Sequence, residues 1–146
     1  MSYFKDAKEC EEILGGFFKM IFDKYRDKDE QAVKIIDALR DKGLVIKFVW
    51  KDPDMTIILS PTDDTFGVFI NNDSIEPVAT FFLTADTAHK FWHGKIKLAK
   101  ALTTKQIVAK GPIPKILKLL PIIEPLYKEY PKHLEKIGRK DLVLKS

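Results

Sequence analysis

The sequence is poor in the residues on which most recognisable chemistry rests. It holds one cysteine, Cys10, so no disulfide can close within the chain, and a reducing cytoplasm is the expected setting. Arginine is scarce: Arg26, Arg40 and Arg139 stand against 22 lysines, with two asparagines and two glutamines. Base reading and bidentate phosphate recognition favour arginine and amides, so nucleic acid is not an expected partner. None of the four serines (Ser2, Ser60, Ser74, Ser146) lies in a Gly-x-Ser-x-Gly elbow, and there is no glycine-rich phosphate loop. No apolar run approaches the ~18 residues of a membrane-spanning helix. The first residues lack a basic stretch followed by an apolar one, so no secretory leader is expected. The chain ends Leu144-Lys145-Ser146, which is not a peroxisomal address.

What remains is an ordinary folded composition, 146 residues with 45% apolar and 32% charged side chains, which suits one domain that needs neither metal nor disulfide. The charge is unevenly spread. Residues 1–94 carry 12 basic and 17 acidic side chains, whereas residues 95–146 carry 13 basic and 4 acidic ones. A basic half is either a solvated face or a docking surface for an anionic partner. Many lysines with few amides is also a composition of heat-adapted proteins.

Periodicity divides the chain. Over residues 3–27, Cys10, Ile13, Leu14, Phe17, Phe18, Ile21, Phe22 and Tyr25 recur at helical spacing. Gly15-Gly16 inside this pattern costs a helix about 0.5–1 kcal/mol per residue, so a kink or a close neighbour is expected there. A second helix is expected over Asp29–Arg40, stopped by Gly43. The period then becomes two. Strands are expected over Leu44–Trp50, Met55–Ser60, Thr65–Ile70 and Pro77–Leu83, separated by turn-rich segments. Helices followed by consecutive strands argue for an α+β protein with an antiparallel meander. Thr84 suits the N-cap of a helix reaching Trp92 and stopped by Gly94. A short helix over Lys95–Leu102 and a last strand over Gln106–Lys110 follow. Beyond Gly111, Pro112, Pro114, Pro121, Pro125 and Pro131 punctuate a very apolar stretch, which predicts short bent helices rather than one straight rod.

Few constellations offer chemistry. His89 and His93 share a predicted helix face, but His89-Lys90-Phe91-Trp92-His93 lacks the glutamate of a metalloprotease helix, and no third ligand lies nearby in sequence. They are expected to be solvated, with no metal and no cofactor. Cys10 falls on an apolar helix face beside Glu9, Glu11 and Glu12, the surroundings of an inert buried thiol rather than a nucleophile. Glu11-Glu12 and Asp63-Asp64 read as a solvated helix face and a turn. No catalytic residue is assigned.

A family resemblance sharpens this. Ala79-Thr80-Phe81-Phe82-Leu83-Thr84-Ala85-Asp86 runs a strand into a Thr-led helix. That helix closes at Phe91-Trp92-His93-Gly94-Lys95, and Lys97-Leu98-Ala99-Lys100-Ala101 follows as an Ala-bearing helix. A last strand and a Gly-led turn, Gly111-Pro112, then enter the C-terminal helix. This stretch, from Ala79 to Leu120, resembles the sterol carrier protein type 2 (sterol-binding, lipid-transfer) domain, and the upstream order of elements extends the resemblance over most of residues 10–125.

The resemblance implies a twisted, mainly antiparallel five-stranded sheet covered by helices, with an apolar tunnel between them. It implies a single lipid-binding domain over residues 1–146 with a proline-punctuated helical extension over 112–146. It also implies non-enzymatic binding or transfer of a fatty acyl chain, an isoprenoid or another lipid. Inward positions nominate Phe17, Ile21, Phe48, Trp50, Phe81, Phe91, Trp92, Leu98, Ile116 and Leu120 as cavity lining, and a cavity of several hundred Å³ is expected. Lys97, Lys100 and Lys115 are candidates for transient contact with an anionic membrane surface. Two other readings compete. One is an accessory domain that presents a hydrophobic substrate to an enzyme, and the other is a small thioesterase-like hydrolase.

Overall fold

In the computed structural model, which describes residues 2–145, the two-residue period after Gly43 becomes strands β1 (Ile46–Lys51), β2 (Met55–Ser60), β3 (Gly67–Ile70) and β4 (Ala79–Thr84). The last strand is β5 (Val108–Lys110). Met1 and Ser146, on which the readings of the two chain ends partly rest, lie outside the described residues. The strands lie in the order β3-β2-β1-β4-β5. Three of the four pairings are antiparallel, and β1 pairs parallel with β4.

The expected meander is therefore corrected. The first three strands form one, but β4 does not continue beside β3. The chain crosses to the far side of β1, where the Val78 and Ala79 amides both donate to the Val45 carbonyl at 2.8 and 3.1 Å. Alternation dictates which face a side chain takes; it does not dictate which strand lies alongside. Phe48 now sits opposite Ile57 of β2 and Phe81 of β4. Ile46, Phe48, Trp50, Ile57, Leu59, Phe81 and Leu83 thus share one face, while Lys47, Thr56, Thr80 and Lys110 share the other.

Helices cover the apolar face. α1 (Ala7–Cys10), a π-helical turn over Glu11–Gly15 and α2 (Gly16–Arg26) run on without a break. The close neighbour expected at Gly15-Gly16 is present, and a π-helical turn stands where a kink was the other expectation. The helix widens there, and the Ile70 side chain comes within 3.4 Å of where a Cβ on Gly15 would sit. α3 (Glu30–Asp41) starts at Asp29, whose carboxylate accepts the Ala32 amide at 3.1 Å. α4 (Ala85–Trp92) starts at Thr84, whose hydroxyl accepts the Thr87 amide at 3.0 Å. It stops at Gly94, which has φ +75° and lies so close to Tyr127 that a Cβ would meet that ring at 3.0 Å. α5 (Leu98–Thr103) leads to β5. Pro112, Pro114, Pro121 and Pro125 then stand at or beside the starts of α6 (Ile113–Leu117), α7 (Leu120–Ile123) and α8 (Leu126–Lys136), whereas Pro131 lies inside α8 without ending it, which corrects the expectation of a break there.

The histidines overturn an expectation. His89 is 0% exposed and His93 is half-buried, because α8 and the turn Lys140–Leu142 fold over the α4 face that carries them. The His89 Nε2–H donates to the Leu142 carbonyl at 2.7 Å, and its Nδ1 accepts the Tyr130 hydroxyl at 2.8 Å. The His93 Nδ1–H donates to the His89 carbonyl at 2.8 Å, and its Nε2 accepts the Leu144 amide at 3.2 Å. Both imidazoles are neutral in this arrangement. They clasp the end of the chain to α4.

Burial pushes the His89 pKa down to about 4, against the opposing pull of the Leu142 carbonyl. Burial also lowers His93 and His133. A folded-state pKa below the unfolded one means that the unfolded chain binds the proton first as the pH falls. The His89 contribution is therefore complete above about pH 6.5 and is lost between about pH 6.5 and 4, amounting to about 3 kcal/mol. Urea unfolding at half-unit pH steps should show stability falling through this window and a shallower fall in His89→Gln. A flat profile from pH 7 to 4.5 would refute the clasp.

Candidate functional site

Strand alternation builds the floor of a cavity. Ile46, Phe48 and Trp50 of β1, Leu59 of β2, and Phe81 and Leu83 of β4 all point to the covered face. Their rings lie nearly flat on one another. Phe48 stacks on Phe81 at 5.6 Å and 24°, on Phe18 of α2 at 5.6 Å and 6°, and on Trp50 at 6.0 Å and 24°. Such contacts add about 0.5–1.5 kcal/mol each beyond the area they bury, so this floor is stiff.

The roof comes from many short pieces. α2 supplies Phe18, Ile21 and Phe22; α3 supplies Ile35, Ile36 and Leu39; α4 supplies Ala88, Phe91 and Trp92. Leu98 of α5, Ile116 of α6, Leu120 and Ile123 of α7 and Leu126 of α8 complete it, with Leu119 and Ile107 between elements. The cavity's volume is about 100 Å³. This corrects the expectation of several hundred. Periodicity shows which residues point inward, not how far they reach, and the bulky side chains of Phe18, Phe22, Leu119 and Ile123 occupy space that the nominated residues alone would leave open. An apolar cavity of about 150 Å³ holds benzene, so a longer chain enters only if the roof yields. Four-, five- and six-residue helices α7, α6 and α5 make few internal hydrogen bonds and are the pieces suited to yield.

Of the ten nominated residues, Ile21, Phe48, Trp50, Phe81, Phe91, Trp92, Leu98, Ile116 and Leu120 border this cavity and Phe17 does not. Phe17 points the other way, its ring 5.0 Å from Tyr130, 5.6 Å from His133 and 5.9 Å from Trp92. Adjacent helix residues lie about 100° apart, so Phe17 and Phe18 cannot serve one surface. α2 is buried on both sides, and its apolar arc is too wide for spacing to select between them. Phe18, Phe22 and the α3 trio were legible as core, but nothing in their pattern marked them as lining.

Among the described residues the walls hold no carboxylate, hydroxyl, thiol or imidazole, and the only lining side chains with a polar atom are those of Trp50 and Trp92. Cys10 is fully buried elsewhere. Burial, helped by the Asp86 and Glu9 carboxylates, pushes its thiol up to about 12, which leaves it protonated and unreactive. Among the described residues no group of three or more potential metal ligands converges, and no helix is long and apolar enough to cross a membrane.

No family model and no curated protein matches the chain. Solved structures do match. Sterol carrier protein domain 2 of Helicoverpa armigera superposes with TM-score 0.56 at 16% identity, covering 82% of this chain and 90% of its own. Sterol carrier protein 2 from Yarrowia lipolytica does so with TM-score 0.50 at 19% identity, covering 77% and 91%. A UbiJ-SCP2 ubiquinone synthesis protein gives 0.51 at 15% identity, covering 80% and 86%. The chain also matches a sec-alkylsulfatase from Pseudomonas sp. over only 12% of that enzyme's length, at TM-score 0.47. The three full-length matches show the fold. The chain has the α+β architecture of sterol carrier protein 2, with a five-stranded, mostly antiparallel sheet.

The two neighbouring phenylalanines separate packing from lining. Phe17→Leu should cost about 1–2 kcal/mol in urea unfolding and leave binding of an apolar fluorescent dye unchanged under conditions where the protein is folded. Phe18→Leu should alter dye affinity. Equal effects on dye binding from both variants would refute this division of α2.

Proposed function

We propose that this sterol carrier protein 2 fold is a non-enzymatic binder or carrier of a hydrophobic ligand, held between the sheet and the helices as one lipid-binding unit. The observation that carries this is the lining itself: side chains from three strands and seven helices, spread from residue 18 to residue 126, converge on one cavity with apolar walls. Phe18 and the nine bordering nominated residues are its ligand contacts in this reading. The C-terminal extension supplies part of the wall through Ile116, Leu120 and Leu126. The lone buried cysteine suits a cytoplasmic setting.

Burial drives such binding. Each CH₂ removed from water contributes about 0.8 kcal/mol, so a ten-carbon chain gives a gross ~8 kcal/mol, less ~4 kcal/mol or more for association. No polar grip is then required. A hydrolase would need a nucleophile or general base at the cavity, and the walls carry none. The accessory-domain reading, in which the cavity presents a hydrophobic substrate to an enzyme, draws support from the UbiJ-SCP2 likeness. A stable complex isolated from native extract would favour it over a free carrier.

Native mass spectrometry followed by organic extraction should find a lipid in the purified protein. In titrations with saturated fatty acids of increasing length, tryptophan emission should shift, because Trp50 and Trp92 both border the cavity. Each added CH₂ should strengthen binding about fourfold until the walls stop yielding. Trp92→Phe should remove most of the signal. Unchanged emission at saturating ligand for every length would sink the carrier reading.

Lys97, Lys100 and Lys115 are exposed on α5 and α6 or at their edge, and Leu98 and Ile116 beside them border the cavity. In the carrier reading these lysines hold the cavity's roof against an anionic membrane during loading. Each contributes roughly 1 kcal/mol near such a surface, and the attraction decays within a Debye length. Co-sedimentation with vesicles should rise with the anionic lipid fraction, fall with salt, and disappear in the triple Lys→Glu variant while its circular dichroism is unchanged. Binding equal on neutral and anionic vesicles would show the lysines to be solvated surface only.

A further inference from the structure

A small depression lies against the cavity from the outside, between α2, the start of α3 and α8. Ile21, Ile35 and Leu126 line both spaces, so a wall one side chain thick separates them. All three are buried. Their rotamers can change without breaking a backbone hydrogen bond. The depression has a volume of about 10 Å³, room for one water-sized group. Unlike the cavity it has a polar rim, formed by Lys24, Asp29, Gln31 and Glu129. Lys24 Nζ stands 3.8 Å from Glu129 Oε2, about an ångström longer than a charge-assisted hydrogen bond. Glu129 Oε1 stands 3.9 Å from Lys132 Nζ. The carboxylate thus has two ammonium groups close by and is hydrogen-bonded to neither.

We propose that this depression is the mouth of the cavity and the seat of a ligand head group, and that the ligand is a long-chain alcohol. Its chain passes between Ile21, Ile35 and Leu126 into the cavity, and its hydroxyl bridges Lys24 and Glu129, accepting from Nζ and donating to Oε2. The inference rests on the reading of the cavity as a lipid site and narrows that reading to one ligand class. A hydroxyl matches the space, and it is donor and acceptor at once, which is what two opposite charges held apart can both bond to. A carboxylate head is larger and accepts only. It would also sit beside Asp29 and Glu129, and like charges so placed repel. A plain hydrocarbon leaves the rim as it stands.

The test titrates octane, 1-octanol and octanoate at pH 8 into the full chain and into Lys24→Ala and Glu129→Ala, with displacement of an apolar dye as readout. Water-to-cavity transfer differs among the three compounds, so the quantities compared are the octanol-to-octane and octanoate-to-octane affinity ratios in each protein. The octanol ratio should fall about five- to tenfold in either variant. The octanoate ratio should fall in Lys24→Ala and rise in Glu129→Ala, where the ammonium is left without its carboxylate. In the wild type, nuclear Overhauser contacts from the C1 methylene of ¹³C-labelled 1-octanol should reach the methyl groups of Ile21, Ile35 or Leu126, which locates the head group whether or not the variants fold. An octanol ratio unchanged in both variants, or C1 contacts confined to Leu98 and Ile116, would overturn this inference and leave the carrier reading standing. An octanoate ratio that falls together with the octanol ratio in Glu129→Ala would show a loss of shape rather than of a hydrogen bond, and would overturn the bridge. Failure of the wild type to bind any of the three would overturn the carrier reading with it.

Discussion

The parallel pairing of β1 with β4 is the constraint on which the rest of the structure depends. It brings Phe48 beside Phe81 and Trp50 beside Leu83, and so gathers Phe48, Trp50 and Phe81 at the middle of one face. A sheet with one such face must be covered. The opposite face mixes Lys47, Thr56, Thr80 and Lys110 with Val49, Ile58, Phe69, Phe82 and Val108, and of these apolar residues only Ile58 is fully buried, so it demands less cover. The helices therefore collect on a single side. The flat aromatic floor they meet is rigid, because stacked rings resist the small rotations by which aliphatic cores close gaps.

The roof is of a different character. Prolines at 112, 114, 121 and 125, each at or beside a helix start, prevent a long helix from lying across the floor as a lid. The chain lays down α6, α7 and α8 in succession instead, and each contributes one or two side chains to the cavity wall. A rigid floor under a segmented roof is a physical basis for a cavity that is small at rest and able to widen. The other end of the segmented stretch is firmly tied. Tyr130, Leu142 and Leu144 reach back to His89 and His93, so loosening of the roof need not release the chain end.

This division also accounts for where the polar groups went. The three histidines, Tyr130 and Cys10 are packed on the side of α2 and α4 away from the cavity, with Phe17 among them. There His89 and His93 find carbonyl, hydroxyl and amide partners, while the buried His133 Nε2 has none among the described residues. The cavity side of the same helices holds Phe18, Ile21, Phe22, Phe91 and Trp92. One helix layer thus separates a hydrogen-bonded clasp from an apolar chamber, and the indole of Trp50 is left facing neighbours that cannot accept from it.

The sequence by itself determined the local structure to within a few residues. Asp29 and Thr84 start their helices through side-chain caps, Gly94 stops one where no side chain fits, and strict alternation marks Ile46, Phe48 and Trp50 as a single face. These signals are local because their physics is local: a cap, a turn or a pleat involves atoms within a few residues of each other. The motif from Ala79 to Gly111 also carried enough order to point to the fold. Three things were decided only by tertiary structure. Which strand lies beside β1 depends on a crossover whose ends are far apart in sequence. Whether Phe17 or Phe18 meets the cavity depends on where α8 packs, since both rings are apolar and both are buried. And His89, polar and four residues from another histidine, reads as solvated until Tyr130 and Leu142, 41 and 53 residues further on, supply the partners that make its burial tolerable.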